Sequence, residues 1–149
     1  MSNLSSFLNP VSVNDEKEVV ISKRFIQRDE KGDPVLDKNG ETIPQPFKVR
    51  AISQQENDAL IRKCTRTVKD RTGKTRELDN GAYQKAIVVA GTVVPDFSDQ
   101  AMCDHYGTML PEDVPGKMLY AGEFDKLFMA ITELSGITDT DEVEEEAKN

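Results

Sequence analysis

The chain has 149 residues, a net charge of −8 and a pI near 4.7, with 31% charged and 37% apolar residues; it is long enough for one domain with a modest core and too short for a second full one. No apolar run approaches the roughly 20 residues that span a bilayer, and residues 1–10 carry neither a basic nor an apolar export signal, so a cytoplasmic protein without a membrane partner is expected. Strong negative charge also opposes non-specific nucleic-acid binding by the whole molecule, so on composition no nucleic-acid partner is expected.

Residues 1–17 read as a flexible polar arm whose only apolar anchor is Leu4, Phe7 and Leu8. Alternation predicts a strand over residues 18–27, with Val19, Ile21 and Phe25 on one side. A second is predicted over 47–52, where Phe47, Val49 and Ala51 oppose Lys48 and Arg50. The two pair most simply as an antiparallel hairpin. Their long connection holds two turn signals, Lys31-Gly32-Asp33-Pro34 and Asn39-Gly40, the latter suited to a type I′ turn at the tip of a projecting β-finger.

Ser53 and Glu56 stand at capping-box spacing and start a helix. Its inward positions are Leu60, Ile61, Cys64 and Val68, and it is expected to run to Thr72-Gly73 before a basic loop. Between residues 61 and 76 the cations Arg62, Lys63, Arg66, Lys69, Arg71, Lys74 and Arg76 face a single acid, Asp70. Asp79 caps a second helix through Tyr83, Ile87, Ala90, Gly91 and Val94, terminated by Pro95; it is apolar nearly all round and should be the most buried. Ser98 is the expected cap of a short third helix through Met102 and Tyr106, closed by Gly107. Residues 111–119 add a turn or two, interrupted at Pro115-Gly116.

The last helix carries Phe124, Leu127, Phe128, Ile131 and Leu134 at helical spacing, and Gly136-Ile137 has the form of a Schellman stop. Residues 138–149 hold six carboxylates and one lysine and read as an acidic disordered tail. No internal repeat is apparent. The fold class is therefore α+β: an N-terminal antiparallel β-hairpin (18–52) packed on a mainly α-helical bundle of four to five helices (53–137), one domain between arm and tail.

Catalytic chemistry finds little to use. His105 is the single histidine; Cys103, Asp104 and His105 are adjacent on a helix and therefore point in different directions. Cys64 and Cys103 fall at apolar positions and are expected as buried free thiols. A zinc site needs about four nitrogen or sulfur ligands, and one histidine and two cysteines are too few without oxygen donors. Asp29, Asp33, Asp37, Asn39 and Glu41 miss EF-hand spacing and read as turn acids. No phosphate-binding glycine loop occurs. Neither a catalytic residue, a metal nor a cofactor is expected. The candidate partner-binding residues are Arg62, Lys63 and Arg66 on the basic segment and Phe124 and Phe128 on the last helix. The basic segment has three readings: a contact for an acidic partner or for the chain's own tail, a phosphate-binding strip, or a solvated face.

In order and spacing, residues 47–53, 58–66, 83–95 (ending Ala90-Gly91-Thr92-Val93-Val94-Pro95), 104–107 and 118–124 resemble the XkdN-like tail assembly chaperones of long-tailed phages and phage-like elements. The resemblance covers nearly the whole chain. Residues 36–46 depart from it, being longer than the family's usual connection between the paired strands. The resemblance implies a non-enzymatic chaperone of a prophage or infecting phage. It would bind the tape-measure protein in the bacterial cytoplasm, keep it soluble until the tail tube polymerises around it, and be absent from the mature virion. Contact with the tail tube protein and self-association are further expectations. It also implies the two-length synthesis by ribosomal frameshifting common among related chaperones, for which Ala147-Lys148-Asn149 can encode a slippery run of adenines. The alternatives are a structural minor tail component retained in the particle, for tube completion or connection, and a regulator using residues 62–76 on nucleic acid.

Overall fold

The apolar stretch expected to lie deepest does so. In the computed structural model, which describes residues 3–11 and 15–137, Tyr83, Ala86, Ile87, Val88 and Gly91 of one helix, Asn80–Gly91, are buried. The described chain runs α1 (Leu4–Leu8), β1 (Glu16–Val19), β2 (Phe47–Arg50), α2 (Gln54–Cys64), β3 (Thr65–Asp70), β4 (Gly73–Leu78), α3 (Asn80–Gly91), β5 (Thr92–Val94), α4 (Gln100–His105), a 3₁₀ turn (Pro111–Asp113), α5 (Val114–Met118) and α6 (Ala121–Leu134). The class is α+β. Among the described residues only α2, α3 and α6 exceed two turns, at 11, 12 and 14 residues, and the helices assemble around α3 rather than as a regular bundle. The core joins Phe47 and Val49 of β2 to Ile87 and Val88 of α3, Phe97, Val114, and Leu127 and Ile131 of α6. Gly91 sets how closely α3 and α6 approach: a Cβ there would lie 2.5 Å from Ile131 Cγ2.

The N-terminal hairpin is present but smaller than expected, and it gains a third strand. β1 pairs antiparallel with β2, Glu16 opposite Arg50 and Val19 opposite Phe47; the chain leaves the ladder after Val19 instead of continuing to residue 27. β5 adds to the other edge of β2. Those three residues were expected as the last turn of the α3 helix. The run Thr92-Val93-Val94 is β-branched, and Thr92 Oγ1 donates back to the Val88 carbonyl (2.6 Å); the open edge of β2 then takes the amides the helix would have used.

The finger between β1 and β2 branches. Its stem pairs Ile26 with Pro44, and two short arms pair Arg28 with Pro34 and Leu36 with Thr42. Each arm closes the same way. Gly32 N–H donates to Asp29 O and Gly40 N–H to Asp37 O, while Asp29 and Asp37 amides donate to Asp33 O and Glu41 O. Both glycines are left-handed, at φ 86° and 78°. Lys38 and Asn39 are thus the central turn residues, not Asn39 and Gly40, and the turn is a type I turn with a glycine bulge rather than type I′. The Asp29 and Asp37 carboxylates accept from the amides two and four residues on, at 2.8–3.0 Å. Asp-x-x-Gly-(Asp/Glu), repeated eight residues apart, is a short internal repeat where none was expected, and its acids serve the turns themselves.

The basic segment is the largest correction. α2 begins with the expected capping box, Ser53 Oγ accepting from Glu56 N–H (3.1 Å), but ends at Cys64. Thr65 turns its hydroxyl onto the Ile61 carbonyl (2.6 Å), and residues 65–78 form an antiparallel hairpin, not a helix followed by a loop. Thr65, Thr67 and Val68 favour strand. Asp70 accepts from Thr72 N–H (2.8 Å), and Gly73 at φ 127° closes the turn. Propensity and turn chemistry here outweigh the 3.6-residue spacing of the apolar positions.

Elsewhere the caps match with one exchange. Asp79 accepts from Ala82 N–H (3.1 Å). Asp99, not Ser98, caps α4 by accepting from Ala101 N–H (2.9 Å), because Ser98 is engaged by Asp96. Pro115 sits in the first turn of α5, where it needs no amide partner, so it starts that helix instead of interrupting it. After α6, Gly136 N–H donates to Glu133 O (3.1 Å) and Ile137 N–H to Thr132 O (2.8 Å), the two bonds of a Schellman motif.

Candidate functional site

The stem of the finger leans over α4 and leaves a groove. Its floor is apolar: Phe25, Ile26, Phe47, Val94, Met102 and Met118, with a volume of about 690 Å³. Pro46 and Pro95 deny it two amide donors, and Phe25 meets Phe47 edge to face at 5.4 Å. Val94, on the outer edge of the sheet, is 43% exposed. The two methionines, flexible and polarisable, suit an apolar partner whose shape is not fixed in advance.

Arg24 holds one wall. Its guanidinium donates to both Glu123 oxygens (3.0 and 2.5 Å) and to the Met118 carbonyl (3.1 Å), and it lies 4.2 Å from the Tyr120 ring centre. Glu123 also accepts the Tyr120 N–H (2.8 Å), starting α6. With Arg24 as the main cause, helped by Ser22, the Glu123 pKa is lowered to about 2. The clamp therefore fixes the base of the finger to the first turn of α6. Further along the finger, Arg28 also lines the groove; it donates to the Gly32 carbonyl (3.0 Å) and forms no ion pair among the described residues, leaving a positive charge beside the apolar floor.

The residues that tempted a catalytic reading do not converge. Cys103 is buried with its thiol toward the Phe97 carbonyl (3.6 Å), Asp104 accepts from Gln100 (2.7 Å), and His105 packs edge-on against Tyr106. Both cysteines are buried free thiols, and burial pushes the Cys64 thiol up. A second depression of about 480 Å³, beside Cys64, Asp79, Lys85 and Asp113, is more polar.

The sequence-derived partner residues are dispersed. Arg62 and Lys63 lie on the last turn of α2, and Arg66 on β3 opposite Glu77. Lys63 is ion-paired with Glu112 at 2.7 Å, while Arg62 and Arg66 are exposed. Phe124 and Phe128 are half-buried against the core; neither lines the groove. Arg24, Ile26 and Met102 were missed because segments far apart in the chain create the groove, and no local pattern marks such a meeting.

A family profile described as phage XkdN-like tail assembly chaperone protein matches residues 4–148. The crystal structure of the protein yqbn is similar over 91% of this chain and 98% of that one, at 28% identity and a TM-score of 0.66. No curated protein matches the chain.

Proposed function

The chain belongs to the XkdN-like phage tail assembly chaperone family, and on that premise we propose that it holds the tape-measure protein soluble before the tail tube forms, by taking an apolar segment of it into the groove between the finger stem and α4. The observation that carries this reading is the groove itself: an open apolar surface with two methionines, flanked by the arginines Arg24 and Arg28. A tape-measure protein is long, helical and apolar-striped, and such stripes aggregate unless covered. Weak, repeated burial in a shallow groove covers them and still lets tube subunits displace the chaperone. Arg28 beside the apolar floor suits an acidic residue flanking the apolar stripe, and Arg62 and Arg66 serve encounter rather than affinity.

The test is pull-down of the co-expressed tape-measure protein by variants of the groove. Ile26→Glu and Val94→Glu each bury a charge on docking and are expected to weaken binding about tenfold or more. Lys38→Glu, on the far arm of the finger, is the control and should bind as the parent does. Equal binding by all three would remove the groove from the interface. Retention of the protein in purified tails would favour a structural component instead.

A further inference from the structure

The hairpin of β3 and β4 sorts its charges by face. Side chains alternate along each strand and cross-strand partners share a face, so the pairing places Arg66, Val68, Thr75 and Glu77 on one side. The other carries Thr67, Lys69, Lys74 and Arg76 and no acid. Lys69 stands directly opposite Lys74, an arrangement that destabilises a two-stranded ladder. Among the described residues, none of Lys69, Lys74 and Arg76 forms an ion pair, and all three are exposed.

We infer that this face is the docking strip for the chain's own acidic segment, residues 138–149. The charges are complementary: Asp139, Asp141, Glu142, Glu144, Glu145 and Glu146 stand against one lysine, Lys148. The reach is sufficient as well. Ser135 Oγ accepts the Ile52 N–H at 2.8 Å, which pins the end of α6 to the start of α2. From there to the hairpin tip the longest path is the length of α2, about 16 Å, plus one strand, about 20 Å. Twelve residues extend to about 40 Å. Docking removes the like-charge conflict between Lys69 and Lys74 and screens the strip from nucleic acid, so a stronger anionic partner must displace the segment to gain it.

The test uses the full ¹⁵N-labelled chain and amide shifts at about 0.01 M and about 1 M salt, between which the Debye length falls from about 30 to about 3 Å. Neutralising the segment (Asp139→Asn, Asp141→Asn, Glu142→Gln, Glu144→Gln, Glu145→Gln and Glu146→Gln) should shift the amides of β3 and β4 at low salt, leave α3 unmoved, and lose its effect at high salt. Reversing the strip with Lys69→Glu, Lys74→Glu and Arg76→Glu should move the amides of residues 139–146 reciprocally. Unmoved β3 and β4 amides on neutralisation would overturn the assignment, whether or not the reversed hairpin folds. Shifts that grow with protein concentration would overturn it too, by placing the segment on a second copy.

Discussion

Single side chains decide how the pieces of this molecule are held. Gly91 is the tightest: its missing Cβ is what lets α3 lie on Ile131. Gly91→Ala gains helix propensity but drives a methyl into a fully buried isoleucine, and the overpacking outweighs the gain, for a net loss of about 1–2 kcal/mol in thermal or urea unfolding. In an Ile131→Ala background, which lacks all three atoms that crowd the new Cβ, the same Gly91→Ala step should cost less than it does in the parent. Glu123 and Glu56 are the carboxylates held furthest below their ordinary range among the described residues and contribute to the molecule's acid response. Arg50 is the main cause that lowers Glu56 to about 2, as Arg24 does for Glu123. A carboxylate whose folded pKa lies below its unfolded value, about 4.3, stabilises the fold fully above that value and loses its contribution as pH falls toward 2. Glu123→Gln should therefore lower Tm at neutral pH and match the parent near pH 2. A gap that stays constant across that window would mean that the clamp acts through packing alone.

At the scale of elements, most caps and the antiparallel pairing of β1 with β2 were legible in the sequence, and the pairings of residues 65–78 and 92–94 were not. Ser53, Asp79 and Gly136 mark their helix ends because each acts within four residues, and the apolar stretch of α3 was readable because nothing else in the chain could cover it. Residues 65–78 were misread: the apolar spacing of Leu60, Ile61, Cys64 and Val68 fits a helix, and nothing local says that Thr65 ends it. β5 was misread for the same reason, since a strand of three residues exists only through β2. The arms of the finger repeat an eight-residue pattern that was visible and overlooked. The β3–β4 hairpin also carries a stability prediction: in the chain whose acidic segment is neutralised, Lys74→Glu replaces a like-charge pair opposite Lys69 with an ion pair and should stabilise the hairpin by about 0.2–1 kcal/mol, read as slower amide exchange in β3. Slower exchange would show that any binding lost by this variant reflects charge, not unfolding.

For the whole molecule, the family and the α+β class were readable from order and spacing along the chain, whereas the groove was not. It is assembled from the finger stem, β5, α4 and α5, and its wall depends on Arg24 reaching Glu123 across 99 residues; only the folded chain brings these together. The expected arm and tail boundaries are touched only in part. The expected arm holds the short helix α1, with Phe7 80% exposed, while residues 138–149 and the frameshift signal lie outside the described residues. An acidic chain with an apolar groove, a charged finger and a cationic hairpin is built to meet other proteins. The most direct test of that account is co-expression with the tape-measure protein, scoring soluble co-purification at moderate salt. A soluble complex, with the tape measure insoluble when expressed alone, is the predicted result. A tape measure equally insoluble with and without the chain would contradict it.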